Sequence, residues 1–150
     1  MFYGIDISTK KLSIACINNA GIFFYDIECN DKDWLVRFYV LMDDFADYIK
    51  DHDVNSIYYI EDVPYVRNKQ SYYKLVHIIA GLRLILGNRK YRVIHTNSWK
   101  RIVGVSSRGK SKEVKERVRH KCYELFELPE NLSQDSCDAL LIAFAAKKEE

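Results

Sequence analysis

Four acidic residues stand where the surrounding sequence is apolar. Asp6 lies between two isoleucines in YGIDIS, Glu61 closes the run SIYYIE, and Asp135 and Asp138 are three apart in SQDSCDALLIAF. A carboxylate beside a low-dielectric core is costly unless it is paired or holds a metal. Each acid also has a plainer reading when taken alone. Asp135 suits the first turn of a helix because of the dipole, and Glu61 reads equally well as a strand-end surface acid. Asp62 points to the opposite side from Glu61 and is set aside. Taken together, Asp135 and Asp138 share one helical face. If the strands carrying Asp6 and Glu61 are neighbours, all four can meet. Four carboxylates with no His or Cys among them make a hard-oxygen set, suited to Mg²⁺ or Mn²⁺ rather than zinc.

Basic residues are concentrated elsewhere. Residues 67–121 contain 16 Lys and Arg against two acids, Glu113 and Glu116, for a local charge of +14. The rest of the chain carries −12, so the net charge of +2 hides a strong division. Such a span attracts a polyanion, nucleic acid above all; the plainer alternative is a set of solvated helix faces. Within it, GVSSRGKS (residues 104–111) fits the phosphate-loop pattern G-x-x-x-x-G-K-[ST]. That pattern works only after a buried strand, with an acid-ended strand downstream. The residues before Gly104, NSWKRIV, are too charged for a central strand, and IYYIED lies upstream. ATP is therefore not the expected ligand. A glycine-hinged basic loop entering a helix suits contact with a phosphate backbone instead.

The elements that must position these residues follow from periodicity. Strands are expected over 2–8, 11–18 and 22–28, joined by tight turns into an antiparallel meander. Asp31 can cap a helix over about 33–52. Residues 56–62 form a fourth strand with a continuous apolar run, as expected for one buried on both faces. An amphipathic helix spans 71–86 and ends at Gly87-Asn88. A short strand follows at 91–95, then a helical turn from Ser98, a basic helix over 110–126, and a last helix over 134–147 capped by Ser133. The expected fold class is α/β: a five-stranded mixed sheet, three antiparallel strands and then two parallel ones reached by helical crossovers, flanked by helices.

With 150 residues, 48% hydrophobic and 29% charged, the chain has the profile of one globular domain over 1–150. No apolar run approaches the about 18–20 residues needed to cross a bilayer, so no membrane partner is expected. The first residues lack the basic and apolar regions of a signal peptide. Cys16, Cys29, Cys122 and Cys137 form no metal-binding spacing and read as reduced core thiols. A cytoplasmic setting is the expectation.

Four motifs in order, GIDIST, IEDVPYVRNKQSYYKLVHIIAGL, WKRIVGVSSRGKSKEV and QDSCDALLIAFA, resemble the RuvC-type Holliday junction resolvases of the RNase H-like superfamily. The resemblance runs over nearly the whole chain and lies nearer to phage or viral members, which would place the protein in a host cytoplasm. It implies a metal-dependent homodimer that resolves four-way DNA junctions, and other branched DNA, by paired nicks. Asp6, Glu61, Asp135 and Asp138 would be both catalytic residues and ligands of two Mg²⁺ ions, with Mn²⁺ an alternative. Lys110 would contact the scissile phosphate. Arg67, Lys69, Lys100, Arg101, Arg108 and Lys112 would join it in binding DNA, and Tyr72, Leu75, Val76, Ile79 and Leu82 would form the dimer interface. The chain departs from the bacterial pattern at Ile7-Ser8, where that pattern has Pro-Gly, and at Pro64, where an aromatic often stands; Tyr65 is adjacent. Two alternatives stay open: an RNase H-like nuclease acting on RNA or hybrids, and a non-catalytic DNA-binding protein. A sugar kinase of the actin fold, whose sequence also begins with GID-x-[ST], needs two such domains.

Overall fold

Alternating side chains over the first 28 residues fold into three strands, β1 (Phe2–Ile7), β2 (Lys11–Asn18) and β3 (Gly21–Glu28). The structure is a computed structural model and describes residues 1–63, 68–128 and 131–150. Polar side chains close both turns. Ser8 Oγ accepts from the Lys11 N–H at 2.9 Å, and Asn18 Oδ1 accepts from the Ala20 N–H at 2.8 Å. There follow α1 (Trp34–Ile49), β4 (Ile57–Glu61), α2 (Lys69–Leu86), β5 (Lys90–Ile94), α3 (Thr96–Val103), α4 (Ser111–Leu125) and α5 (Gln134–Glu149).

The sheet order is β3-β2-β1-β4-β5. β1, β2 and β3 pair antiparallel, while β4 lies parallel to β1 and β5 parallel to β4. This is the five-stranded mixed sheet expected from the sequence. Element ends differ in detail. The cap of α1 is Asp33 rather than Asp31, its carboxylate accepting from the Leu35 N–H at 2.7 Å. Asn68 caps α2, which begins at Lys69 rather than Ser71. The turn expected from Ser98 is a full helix, α3, entered from His95.

Helices cover both faces of the sheet. On one side Tyr3, Ile5, Ile7, Leu12, Ile14, Tyr58 and Ile60 pack against Leu41, Phe45 and Ile49 of α1 and Ile78 and Leu82 of α2. On the other, Ala15, Ile17, Ile57 and Tyr59 meet α5, which is covered in turn by α3 and α4. α5 is therefore apolar nearly all round, with Leu140, Leu141, Ile142 and Ala143 fully buried. Gly4 in β1 fixes how closely α5 can approach. A Cβ at that position would lie 2.0 Å from the Ala139 carbonyl oxygen and 2.3 Å from the Ala143 nitrogen. All four cysteines are free, and three of them, Cys16, Cys122 and Cys137, are buried. Among the described residues no helix is long and apolar enough to cross a membrane.

Candidate metal centre and nucleic-acid interface

The register of β1 against β4 brings two of the acids together. Ile5 pairs with Ile60, and the next residue of each strand is Asp6 and Glu61. Both follow the parity of Gly4 and Tyr59, so they point toward α5. The seat that Gly4 provides for α5 then places the first turns of that helix, with Asp135 and Asp138, over the same strand ends.

Asp6, Glu61 and Asp138 lie near enough to act on one another, and Asp135 stands at their edge. Asp6 and Glu61 stand within hydrogen-bonding reach of each other, and Asp138 and Asp135 act electrostatically on Asp6. Burial pushes the Asp6 carboxyl up to about 10, and repulsion from Glu61 adds to it. Asp138 is pushed up to about 7, again by burial first and then by Glu61. The Gln134 amide and the Lys100 ammonium pull Asp138 back toward its charged form.

Three of the acids have a positioning partner. Glu61 Oε1 accepts from Thr96 Oγ1 at 3.0 Å and from the Trp99 indole N–H at 2.9 Å. Trp99 is fully buried, so its N–H needs an internal acceptor and Glu61 provides one. Asp138 Oδ1 accepts from Gln134 Nε2 at 3.0 Å, one helical turn earlier. Asp135 is turned outward onto Lys11 Nζ at 2.6 Å. Sequence reasoning missed Thr96, Trp99, Gln134 and Lys11. The only signal available was a tryptophan in a charged segment, whose indole N–H required a partner.

These groups suit a hard divalent cation in their chemistry. The pocket holds more carboxylates than nearby positive charge can neutralise, and two of them are driven toward the protonated form. Ser13, which pairs with Asp6 across the β1–β2 ladder and so shares its face, is buried, and its hydroxyl has no partner. Among the described residues, no group of three or more His, Cys, Asp or Glu side chains is closed tightly enough to hold an ion. Asp135 is paired with Lys11 rather than turned to the other three acids.

A cleft of about 360 Å³ opens beside Asp138. Asn97 and Lys100 of α3, Ser107 and Gly109 of the glycine-hinged loop, Lys115 and Val118 of α4, and Gln134 also line it. The loop is held from behind by Arg117, whose guanidinium donates to the Ser106 carbonyl at 3.2 Å and to the Arg108 carbonyl. Gly104 and Gly109, at φ of 80° and 104°, turn the chain at either end. Gly104 follows helix α3 rather than a strand, so the local geometry is not that of a nucleotide phosphate loop.

Thermus thermophilus RuvC in complex with a Holliday junction substrate superposes with a TM-score of 0.72 over 99% of this chain and 94% of that one, at 13% identity. A second Thermus thermophilus RuvC structure gives a TM-score of 0.67 over 97% and 92%, at 12% identity. The chain has the RuvC fold. No protein-family model matches it, and no curated protein matches it in sequence.

On this RuvC fold the residues expected to touch DNA fall into two groups. Lys100 lines the cleft itself, and Lys110 lies between its lining residues Gly109 and Ser111. Arg101, Arg108, Lys110 and Lys112 are exposed around the loop and the start of α4. Lys69 is exposed at the start of α2. Lys115, not singled out beforehand, also lines the cleft. Arg67 and Tyr65 lie outside the described residues.

The expected dimer residues need correction. Leu82 is 0% exposed, and Leu75 and Ile79 are buried too, because the most apolar stripe of α2 is consumed by the chain's own core. Tyr72 and Val76 do face outward, as do Tyr73 and Leu84, the last 83% exposed.

Proposed function

We propose that this chain is a metal-dependent endonuclease of the RuvC type that cuts branched DNA, four-way junctions foremost, by phosphodiester hydrolysis. The observation that supports the reading is the proximity of Asp6, Glu61 and Asp138, with Asp135 at their edge, beside a basic cleft on a RuvC fold. Asp6, Glu61, Asp135 and Asp138 would hold two Mg²⁺ ions, or Mn²⁺. When bound, such ions supply Lewis-acid stabilisation to a phosphoryl group and its nucleophile.

The chain's own residues do the rest. Thr96 and Trp99 fix one oxygen of Glu61, leaving the other free to face the pocket. Gln134 does the same for Asp138. Lys100 and Lys115, with Lys110 at the rim, neutralise charge on the phosphate held in the cleft. Exposed Lys69, Arg101, Arg108 and Lys112 bind the backbone of the arms, which makes affinity fall steeply with salt. The outward stripe of α2 (Tyr72, Tyr73, Val76 and Leu84) supports assembly into a two-fold homodimer, whose symmetry matches that of a four-way junction.

The test is a panel of matched substrates incubated with Mg²⁺: a four-way junction, its component duplex, an RNA–DNA hybrid and a single strand. Paired, symmetric nicks confined to the junction and abolished by chelation are expected. Equal cutting of the duplex would make the protein a general nuclease. Preference for the hybrid would move it to the RNA-directed branch of the same chemistry.

A further inference from the structure

One cation already sits among the acids. Lys11, the first residue of β2, places its Nζ 2.6 Å from Asp135 and 3.8 Å from Asp26 of β3. Glu28, directly opposite Lys11 in the β2–β3 ladder, adds a third carboxylate near the same ammonium. The Lys11 side chain is only 20% exposed, against 46% for Asp135, so the ammonium is held in place while the carboxylate stands at the pocket's edge.

From this geometry we infer that Lys11 is an internal counter-ion that governs loading of the metal position served by Asp135. It holds Asp135 while the site is empty and transfers to Asp26 and Glu28 when an ion arrives. The inference rests on the proposed reading of Asp135 as a ligand. Three features of the structure support it. Lys11 is the cation paired with Asp135, at charge-assisted hydrogen-bond distance. The same ammonium has a second acceptor within 4 Å, so releasing Asp135 does not strand a partly buried charge. Asp135 is also anchored differently from Glu61 and Asp138. Glu61 and Asp138 are each fixed by neutral donors that need not leave, whereas an ammonium on Asp135 repels any second cation brought to that carboxylate.

Two ions should therefore load unequally. The position relying on Asp6, Glu61 and Asp138 fills first, and the position needing Asp135 fills at higher concentration. Neutralising Lys11 should narrow the gap.

The experiment is calorimetric titration of the full chain with Mn²⁺, without DNA, on wild type, Lys11→Met, Lys11→Arg, Asp135→Asn and Asp6→Asn. Thermal melts check that each variant is folded. Wild type is expected to bind one ion tightly and one weakly. Lys11→Met should tighten the weak event about tenfold, equivalent to about 1.4 kcal/mol, while Lys11→Arg keeps wild-type behaviour. Asp135→Asn should remove the weak event alone. Binding that is lost in Asp6→Asn but unchanged in Lys11→Met overturns the role of Lys11 and leaves the metal centre standing. Absence of any Mn²⁺ binding sensitive to Asp6→Asn overturns both. Should Lys11→Met unfold, Asp26→Asn with Glu28→Gln offers the same test from the other side: removing the alternative acceptors should weaken the second event, and an unchanged second event overturns the inference.

Discussion

The two faces of the central strands are built for different work. Toward α1 and α2, β1 presents Tyr3, Ile5 and Ile7, and β4 presents Tyr58 and Ile60, all packed into one apolar layer. Toward α5, the same strands present Gly4 and Asp6, and Tyr59 and Glu61. One face fills space. The other makes room for a helix and then ends in charge. Buried carboxylates oppose stability, and the apolar face opposite supplies the packing that lets the sheet tolerate them.

The sharpest way to break this division is at Gly4. Gly4→Val sets a branched side chain where even a Cβ meets α5 backbone at 2.0 Å, so α5 must lift and take Asp135 and Asp138 with it. Loss of the cooperative melt, or a loosened state lacking metal binding, is expected by circular dichroism and calorimetry. A smaller, purely structural effect is expected on the packing face. Phe45→Ala should cost about 3–5 kcal/mol in a denaturant melt, with a metal affinity equal to wild type wherever the protein remains folded.

A third effect has the opposite sign. Asp6 and Asp138 hold protons more tightly in the folded protein than in the unfolded chain, with folded values of about 10 and about 7. Their contribution to metal-free stability is full below the unfolded carboxylate value, near pH 4. It is lost as pH rises through about 7 and then about 10. Asp6→Asn removes part of that loss. At pH 8, without metal, the variant should melt above wild type, with the gap closing toward pH 4. Melting temperatures across that range check the sign, and a variant less stable than wild type at pH 8 would mean Asp6 is not strained there.

Much of this division was legible in the sequence because strands announce themselves by alternation. Asp6 between isoleucines and Glu61 at the end of an apolar run were the visible conflicts between residue type and place, and both fall in the acid pocket. The pair Asp135 and Asp138 followed from helical spacing. What escaped notice depended on contacts between distant segments. Trp99 and Thr96 reach Glu61 across 38 and 35 residues, and nothing near them in the chain marks an acceptor. Nothing in the sequence around Lys11 marks it; α5 brings Asp135 against it only in the fold. The inner stripe of α2 was expected at a dimer interface for a related reason. Periodicity identifies an apolar helix face without saying whether the sheet or a second chain will cover it, and here the sheet takes Leu75, Ile79 and Leu82.

The claim at the centre is that the acid pocket performs hydrolysis on DNA that the basic cleft holds. Asp138→Asn separates the two roles, because it changes the pocket while leaving the cleft lysines in place. With a synthetic four-way junction and Mg²⁺, this variant should bind with wild-type affinity in a gel-shift assay and cut at least about a hundredfold more slowly. Wild-type cutting by Asp138→Asn would contradict the account.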